Sequence, residues 1–441
     1  MSDQATPNVT FHVGPGGRLE GRLRVPGDKS VSHRSVILGS IAEGTTEVDG
    51  FLEGQDALAT LAAFRGMGVD IQGPDAGALR IRGAGLHGLE APAEAIDLGN
   101  SGTSMRLLCG LLAGQRFDTV LTGDASLSRR PMRRVTEPLA RMGALIETSG
   151  SGTAPLNIRG GRPLHGIDYA SPVASAQVKS CLLLAGLYAD GTTRVTEPAT
   201  TRDHTERMLA GFGYGVRRQG ATVAVQGGGR LSATHVEVPA DISSAAFFLV
   251  GASIAPGSDL LLEGVGLNPT RTGVIDILQR MGADIEVATV REVGGERVGD
   301  LRVRGARLRG IRIPSELVPL AIDEFPALFV AAACAEGETV LEGAEELRVK
   351  ESDRIQVMAD GLIELGVTAE PRPDGMRIVG GPMSGGRVAA HGDHRIAMAF
   401  AMATLRADGP IVVDDCANVD TSFPGFDRLA AGVGLDLRVA R

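Results

Sequence analysis

Six near-copies of one punctuation pattern constrain this 441-residue chain more than any single motif does. A helix end that turns on glycine into a strand recurs as "FRGMGVDIQG" (64–73), "LARMGALIET" (139–148), "LAGFGYGVRR" (209–218), "LQRMGADIEV" (278–287), "LIELGVTAEP" (362–371) and "LAAGVGLDLR" (429–438), about 65–85 residues apart. Repeats at such a period mean one supersecondary unit used several times. Two further series keep step. Alternating strands end in glycine ("LRIRGAGLHG", "LNIRGGRPLHG", "LRVRGARLRG"), and small-residue helices run into a turn and a strand ("SIAEGTTEVDG", "LYADGTTRVTE", "ACAEGETVLEG"). The alternation predicts strands, and the 10–14-residue runs closed by glycine predict helices. The expected fold class is α/β, with six repeats arranged as two lobes of three. A continuous solenoid is the alternative.

One helix of each repeat is apolar almost all round, as in "VILGSIA", "SCLLLAGLYA" and "FPALFVAAACA". Such helices are buried, yet their first N–H groups stay unsatisfied at one end. Three parallel helices per lobe would sum their dipoles toward one surface, and two such surfaces facing each other would make a cleft suited to anions. The overall charge of −9 argues against a non-specific nucleic-acid binder, so cations that attract anions must be local. The 3% aromatic content, with no tryptophan, disfavours base-stacking platforms.

The polar residues cluster where these helices begin: "PGDKSVSHR" (26–34), "LGNSGTSMR", "ASAQVKS", "ADISSA", "AIDEFP" and "GDHR". The loops "SLSRRPMRR", "TTRDHTE", "NPTRTG" and "RVKESDR" add more. "PGDKSVSHR" is not a P-loop, because Asp28 separates Gly27 from Lys29 where a Walker A loop has Gly-Lys. It still reads as an anion site at a helix N-terminus. Lys29, Arg34, Arg130, Arg202, Lys350, Arg354 and Arg395 are the cations that stand out, with the carboxylates Asp323 and Glu351 among them. Read alone, Asp323 could simply cap the helix that follows it, and Glu351 could merely balance Lys350 and Arg354. Ser30 reads as a phosphate donor rather than a nucleophile. His391 and His394 have His-x-x-His spacing but no further Cys or His nearby, so no metal is expected.

Cys109, Cys181, Cys334 and Cys416 are far apart and read as buried thiols of a reducing compartment. With no signal-like N-terminus and no apolar run long enough to span a membrane, the expectation is a cytoplasmic protein without membrane attachment.

These motifs, in this order and over essentially the whole chain, resemble the family of 5-enolpyruvylshikimate-3-phosphate synthases. The match includes "PGDKSVSHR", "LGNSGTSMRL", "GDASLSRRPM", "ASAQVKS", "TRDHTE", "NPTRTG", "IDEFP", "LRVKESDR" and "GDHRIAM". The resemblance implies βαβαββ units in two lobes, each a three-unit inverse α/β barrel. Lobe I would hold residues 1–26 and 241–441 and lobe II residues 27–240, with hinges near 26 and 241 and the active site in the cleft between them. It implies transfer of the enolpyruvyl group of phosphoenolpyruvate (PEP) to the 5-hydroxyl of shikimate 3-phosphate, by addition and elimination. It implies further that no cofactor would be needed, that the protein would act as a monomer, and that glyphosate would inhibit by occupying the PEP site.

Carried onto this chain, Lys29, Ser30, Arg34, Ser175, Gln177, Arg202, Asp323 and Lys350 would hold shikimate 3-phosphate. Lys29, Gly102, Arg130, Arg354 and Arg395 would hold PEP. Asp323, Glu351 and Lys29 would be catalytic: Asp323 takes the proton of the attacking hydroxyl, and Glu351 handles protons at the PEP methylene. Two places depart from some members. Ala176 stands where those have a second serine, and "NVDTSFPGF" lacks the lysine found before their Thr-Phe-Pro. A related enzyme, the UDP-N-acetylglucosamine enolpyruvyl transferase, resembles Gly-Cys-x-Ile-Gly-Ala-Arg-Pro where this chain has "GDASLSRRP", without cysteine. A non-catalytic repeat scaffold would not need lysine or arginine at so many helix starts.

Overall fold

The computed structural model describes residues 9–441. Twelve α-helices occur among them, in six pairs. They are α1 (Lys29–Ile41) and α2 (Gln55–Gly66), α3 (Gly102–Ala113) and α4 (Arg133–Arg141), α5 (Ala176–Gly186) and α6 (His204–Gly211), α7 (Ile242–Ile254) and α8 (Gly273–Arg280), α9 (Phe325–Ala333) and α10 (Arg354–Glu364), and α11 (His394–Ala403) and α12 (Phe426–Gly432). The odd-numbered helix of each pair is the apolar one. All of α7 and α9 is buried, and nearly all of α1, α3, α5 and α11.

The chain divides into two compact units. One runs up to Pro26 and resumes over Pro239–Glu292 and Arg297–Arg441; the other comprises Gly27–Val238 and Val293–Glu296. Each has its own hydrophobic core.

In the Gly27–Val238 unit, three four-stranded sheets repeat one topology. The strand Ile96–Asp97 is parallel to Thr119–Thr122, with α3 between them in sequence; Thr119–Thr122 is antiparallel to Leu156–Arg159, and that strand to Leu145–Glu147. A parallel pair needs a crossover, and α3 supplies it. Asp168–Ala170 and Thr192–Thr196 flank α5 in the same way. In the first repeat the edge strand is His235–Glu237, parallel to Glu43–Asp49, so the end of this unit completes the sheet of its beginning.

The other unit closes similarly. Glu20–Leu23 is parallel to Asp259–Gly266, and Thr10–Val13 lies antiparallel between Ile411–Asp414 and Leu437–Ala440. Its middle repeat has three named strands, and single bridges at Arg309–Glu336 and Arg312–Val340 stand where the fourth would lie. The six repeats are therefore real βαβαββ units, three per lobe, each lobe an inverse α/β barrel with its apolar helices inside.

Close helix packing uses glycine at particular points. A Cβ on Gly110 of α3 would stand 2.1 Å from the carbonyl oxygen of Cys181 on α5. Only a residue without a side chain allows that approach of the two buried helices.

Candidate active site

Five of the six buried helices begin at a side-chain cap. Asp28 accepts from Val31 N (2.9 Å), Ser101 from Ser104 N (3.2 Å), Ser175 from Val178 N (3.4 Å), Asp241 from Ser243 N (2.8 Å) and Asp393 from Arg395 N (3.0 Å). Asp28, the residue that spoils the P-loop reading, thus satisfies an N–H that helix geometry leaves open. The helix start fixes Lys29 and Ser30 in the first turn.

In the Gly27–Val238 unit, side chains tie the first turns of α1, α3 and α5 together. Lys29 Nζ forms an ion pair with the buried Asp56 of α2. Arg34 is buried; its guanidinium donates to Ser30 O (2.9 Å), Thr205 Oγ1 (2.6 Å) and Ser180 Oγ (2.9 Å). Gln177 donates to Thr103 Oγ1 (3.0 Å) and accepts from Arg106 Nη1 (2.7 Å). Arg130 donates to the backbone oxygen (3.3 Å) and side-chain oxygen (2.7 Å) of Asn100. Gly102, the first residue of α3, lies against both guanidinia: a Cβ there would stand 3.0 Å from Arg106 Nη1 and 3.1 Å from Arg130 Nη1. Arg202 is half-buried in the loop before α6.

His33 sits behind this group. Its Nδ1 is 2.7 Å from Thr60 Oγ1, which is 2.6 Å from Ser104 Oγ. Burial, reinforced by the Lys29 and Arg34 cations, holds the His33 pKa well below its usual 6.5. The ring is therefore neutral and adds no charge beside Lys29.

In the other unit, Arg354 is the hub. It is buried and donates from Nε to Asp393 Oδ2 (2.8 Å), from Nη2 to Glu351 Oε2 (2.7 Å) and from Nη1 to Asp323 Oδ1 (3.3 Å). Burial works against its charge, but the carboxylates of Asp393, Glu351 and Asp323 outweigh it and raise the Arg354 pKa above the usual arginine value. Burial likewise opposes the charge of Asp393, and Arg354 more than offsets it, so the Asp393 pKa is lowered. Lys350 Nζ stands 3.3 Å from Asp323 Oδ1. Arg395 Nη1 donates to the backbone oxygen of Asp323 (3.0 Å) and lies 3.9 Å from Glu324 Oε1. Glu324 is buried and accepts from Ser243 Oγ of α7. The starts of α7, α9 and α11 are thus linked as those of α1, α3 and α5 are.

Asp323 is not the cap of α9. Glu324 holds the cap position, without a side-chain hydrogen bond, while Asp323 turns to the two cations. Glu351 does pair with Arg354, through Oε2.

The sequence-predicted residues fall into two groups. Lys29, Ser30, Arg34, Gly102, Arg130, Ser175, Gln177 and Arg202 lie in the Gly27–Val238 unit; Asp323, Lys350, Glu351, Arg354 and Arg395 lie in the other. Sequence reasoning missed Asp56, Arg106, Glu324 and Asp393. Arg106 had a signal, since it follows Gly102 by one helical turn. Asp393 had another, as an aspartate just before a helix. Among the described residues, no group of three or more His, Cys, Asp or Glu is arranged to hold a metal ion. No described helix is long and apolar enough to cross a membrane.

Two clusters of cations at linked helix starts, with two carboxylates beside them, can bind small polyanions and move protons on them. The comparisons agree in kind. The sequence profile of the family described as EPSP synthase (3-phosphoshikimate 1-carboxyvinyltransferase) matches residues 13–429. A curated relative from Alkalilimnicola ehrlichii, named 3-phosphoshikimate 1-carboxyvinyltransferase, is 73% identical over 97% of this chain and 96% of its own length. One of the same name from Methylococcus capsulatus is 71% identical over 98% of this chain and 99% of its own. Among solved structures, an EPSP synthase from Acinetobacter baumannii superposes with a TM-score of 0.89 at 58% identity, covering 98% of this chain and all of that one. The chain belongs to the EPSP synthase family.

Proposed function

We infer that this chain transfers the enolpyruvyl group of PEP to the 5-hydroxyl of shikimate 3-phosphate, releasing phosphate, in the shikimate route to aromatic amino acids. The observation that carries this reading is the Asp323–Arg354–Glu351 arrangement: two carboxylates held on one buried guanidinium, 3.3 and 2.7 Å from it. A proton is added to the methylene carbon of PEP, which makes C2 electrophilic. The 5-hydroxyl attacks C2 and loses its proton, giving a tetrahedral ketal phosphate. A methyl proton and phosphate then leave, and the double bond returns.

In this scheme Asp323 takes the hydroxyl proton and Glu351 serves the methylene. Lys29, Arg130, Arg354, Arg395 and the open space at Gly102 receive PEP. Lys29, Ser30, Arg34, Ser175, Gln177, Arg202 and Lys350 receive shikimate 3-phosphate. Preorganised cations stabilise the anionic intermediate because no solvent has to reorganise around it. Glyphosate would compete with PEP. A cytoplasmic location accords with the four thiols, none of them in a disulfide. A monomer accords with the few large apolar side chains left exposed.

The deciding assay is phosphate release from PEP with each acceptor in turn. Release that requires shikimate 3-phosphate is expected. Release supported only by UDP-N-acetylglucosamine would assign the related transferase activity, and release with neither would leave a scaffold.

A further inference from the structure

Lys179 is almost wholly buried, an unusual position for an ammonium group, and the reaction scheme gives it no part. Its Nζ lies 2.7 Å from Glu197 Oε2 and 2.8 Å from Glu206 Oε1, both carboxylates also buried. Glu197 immediately follows the strand Thr192–Thr196, and Glu206 is in the first turn of α6. The ammonium therefore fastens the two ends of the loop that runs from that strand to α6. Inside the loop, Thr201 Oγ1 donates to Glu197 Oε1. The residue after Lys179 grips the same segment, since Ser180 Oγ is 2.7 Å from Thr205 Oγ1. From Thr201 to Glu206 every residue is buried except Arg202.

Desolvating three charges is costly, and removing any one of them would leave the others buried without compensation. Here the geometry relates two things. The N-terminal end of α5 carries Ser175 and Gln177, and the clamped loop carries Arg202. We propose that Lys179 is a positioning residue for shikimate 3-phosphate, fixing the Arg202 guanidinium relative to Ser175 and Gln177. This rests on the reading that those three residues bind that substrate. A guanidinium on a loose loop would have to be ordered at each binding event, whereas a clamped one is already placed.

Two variants test it, read by direct titration of shikimate 3-phosphate, by KM for each substrate and by Tm. Lys179→Met removes the clamp at nearly constant length. Thr201→Val cuts only the bond to Glu197 and leaves the three buried charges intact, so it decides the matter if Lys179→Met does not fold. Shikimate 3-phosphate binding should weaken about tenfold in Lys179→Met and by a smaller factor in Thr201→Val, with KM for PEP little changed. In an Arg202→Gln background, Lys179→Met should cost no further affinity. A fall in Tm with unchanged shikimate 3-phosphate binding, or equal weakening for both substrates, overturns the proposal. If Arg202→Gln itself leaves shikimate 3-phosphate binding intact, the failure lies in the underlying site assignment instead.

Discussion

Arg354 Nε donates to Asp393 Oδ2 across 2.8 Å, between two side chains that solvent scarcely reaches. Asp393 also caps α11 through Arg395 N and accepts from Ser352 Oγ at 3.1 Å. One carboxylate therefore holds the Arg354 guanidinium and the backbone of Arg395, two of the three arginines assigned to PEP. Asp393→Asn leaves Arg354 with a weaker partner in a buried place and should destabilise the protein by about 3–5 kcal/mol. Urea unfolding measures this, and KM for PEP should rise in the same variant. An unchanged unfolding midpoint would show that Arg354 is held by Asp323 and Glu351 alone.

Gly102→Ala should fold normally. Its new methyl meets the side-chain ends of Arg106 and Arg130 at 3.0 and 3.1 Å, which must give by a few tenths of an ångström, and Leu127 Cδ1 at an ordinary 3.7 Å. That retreat removes space from the proposed PEP position. Inhibition by glyphosate, which is longer than PEP, should weaken by at least about tenfold, and KM for PEP should rise less. Dose–response curves for both proteins at matched PEP saturation provide the check, and superimposable curves would refute the placement of Gly102.

Glu351→Gln keeps the side chain's shape beside Arg354 but takes away its proton-transfer capacity, and Asp323→Asn does the same beside Lys350. Each should lower kcat by about 10²–10⁴. Binding of shikimate 3-phosphate to Glu351→Gln should be little changed, because that residue is assigned to the PEP carbon. Rapid-quench measurement of a single turnover places the loss in chemistry rather than release. A Glu351→Gln enzyme with normal turnover would remove Glu351 from the mechanism.

His33 supplies a pH test. Its folded pKa lies well below 6.5, the value it regains on unfolding. Below about 6.5 the unfolded chain therefore binds a proton that the folded chain refuses, and stability falls as pH drops, by up to about 1.4 kcal/mol per pH unit. Above that pH both states are neutral and the term vanishes. Between pH 7.5 and 5.5, Tm should fall more steeply in the wild type than in His33→Asn. Parallel Tm profiles would show that His33 protonates without penalty.

Much of this architecture was legible in the chain. The buried helices announce themselves by apolar residues on every face, and serine or aspartate before them marks where they begin. The cations Lys29, Arg130, Arg354 and Arg395 stand out because like residues recur at like points of the repeat. What stayed hidden was pairing at a distance. Asp56 is 27 residues from Lys29, and nothing local in "GQDAL" says that it turns inward. Gln177 and Arg106 are 71 residues apart. Lys179, in the run "AQVKSC", looks like a solvated helix lysine until the burial of Glu197 and Glu206 is known. Local pattern reports which face of an element is apolar; it does not report which charge another element brings to it.

The strand Thr10–Val13 has a consequence for how the molecule is made. It pairs with Ile411–Asp414 and with Leu437–Ala440, partners about 400 residues later. The three sheets built from residues 43–237 need nothing outside that span. On the ribosome the inner stretch can fold while translation continues, whereas Thr10–Val13 must wait, unpaired on both edges, until residues about 400 positions later have been added. Slower decoding between residues 240 and 400, with the amino-acid sequence kept, would lengthen that wait and leave every native contact unchanged.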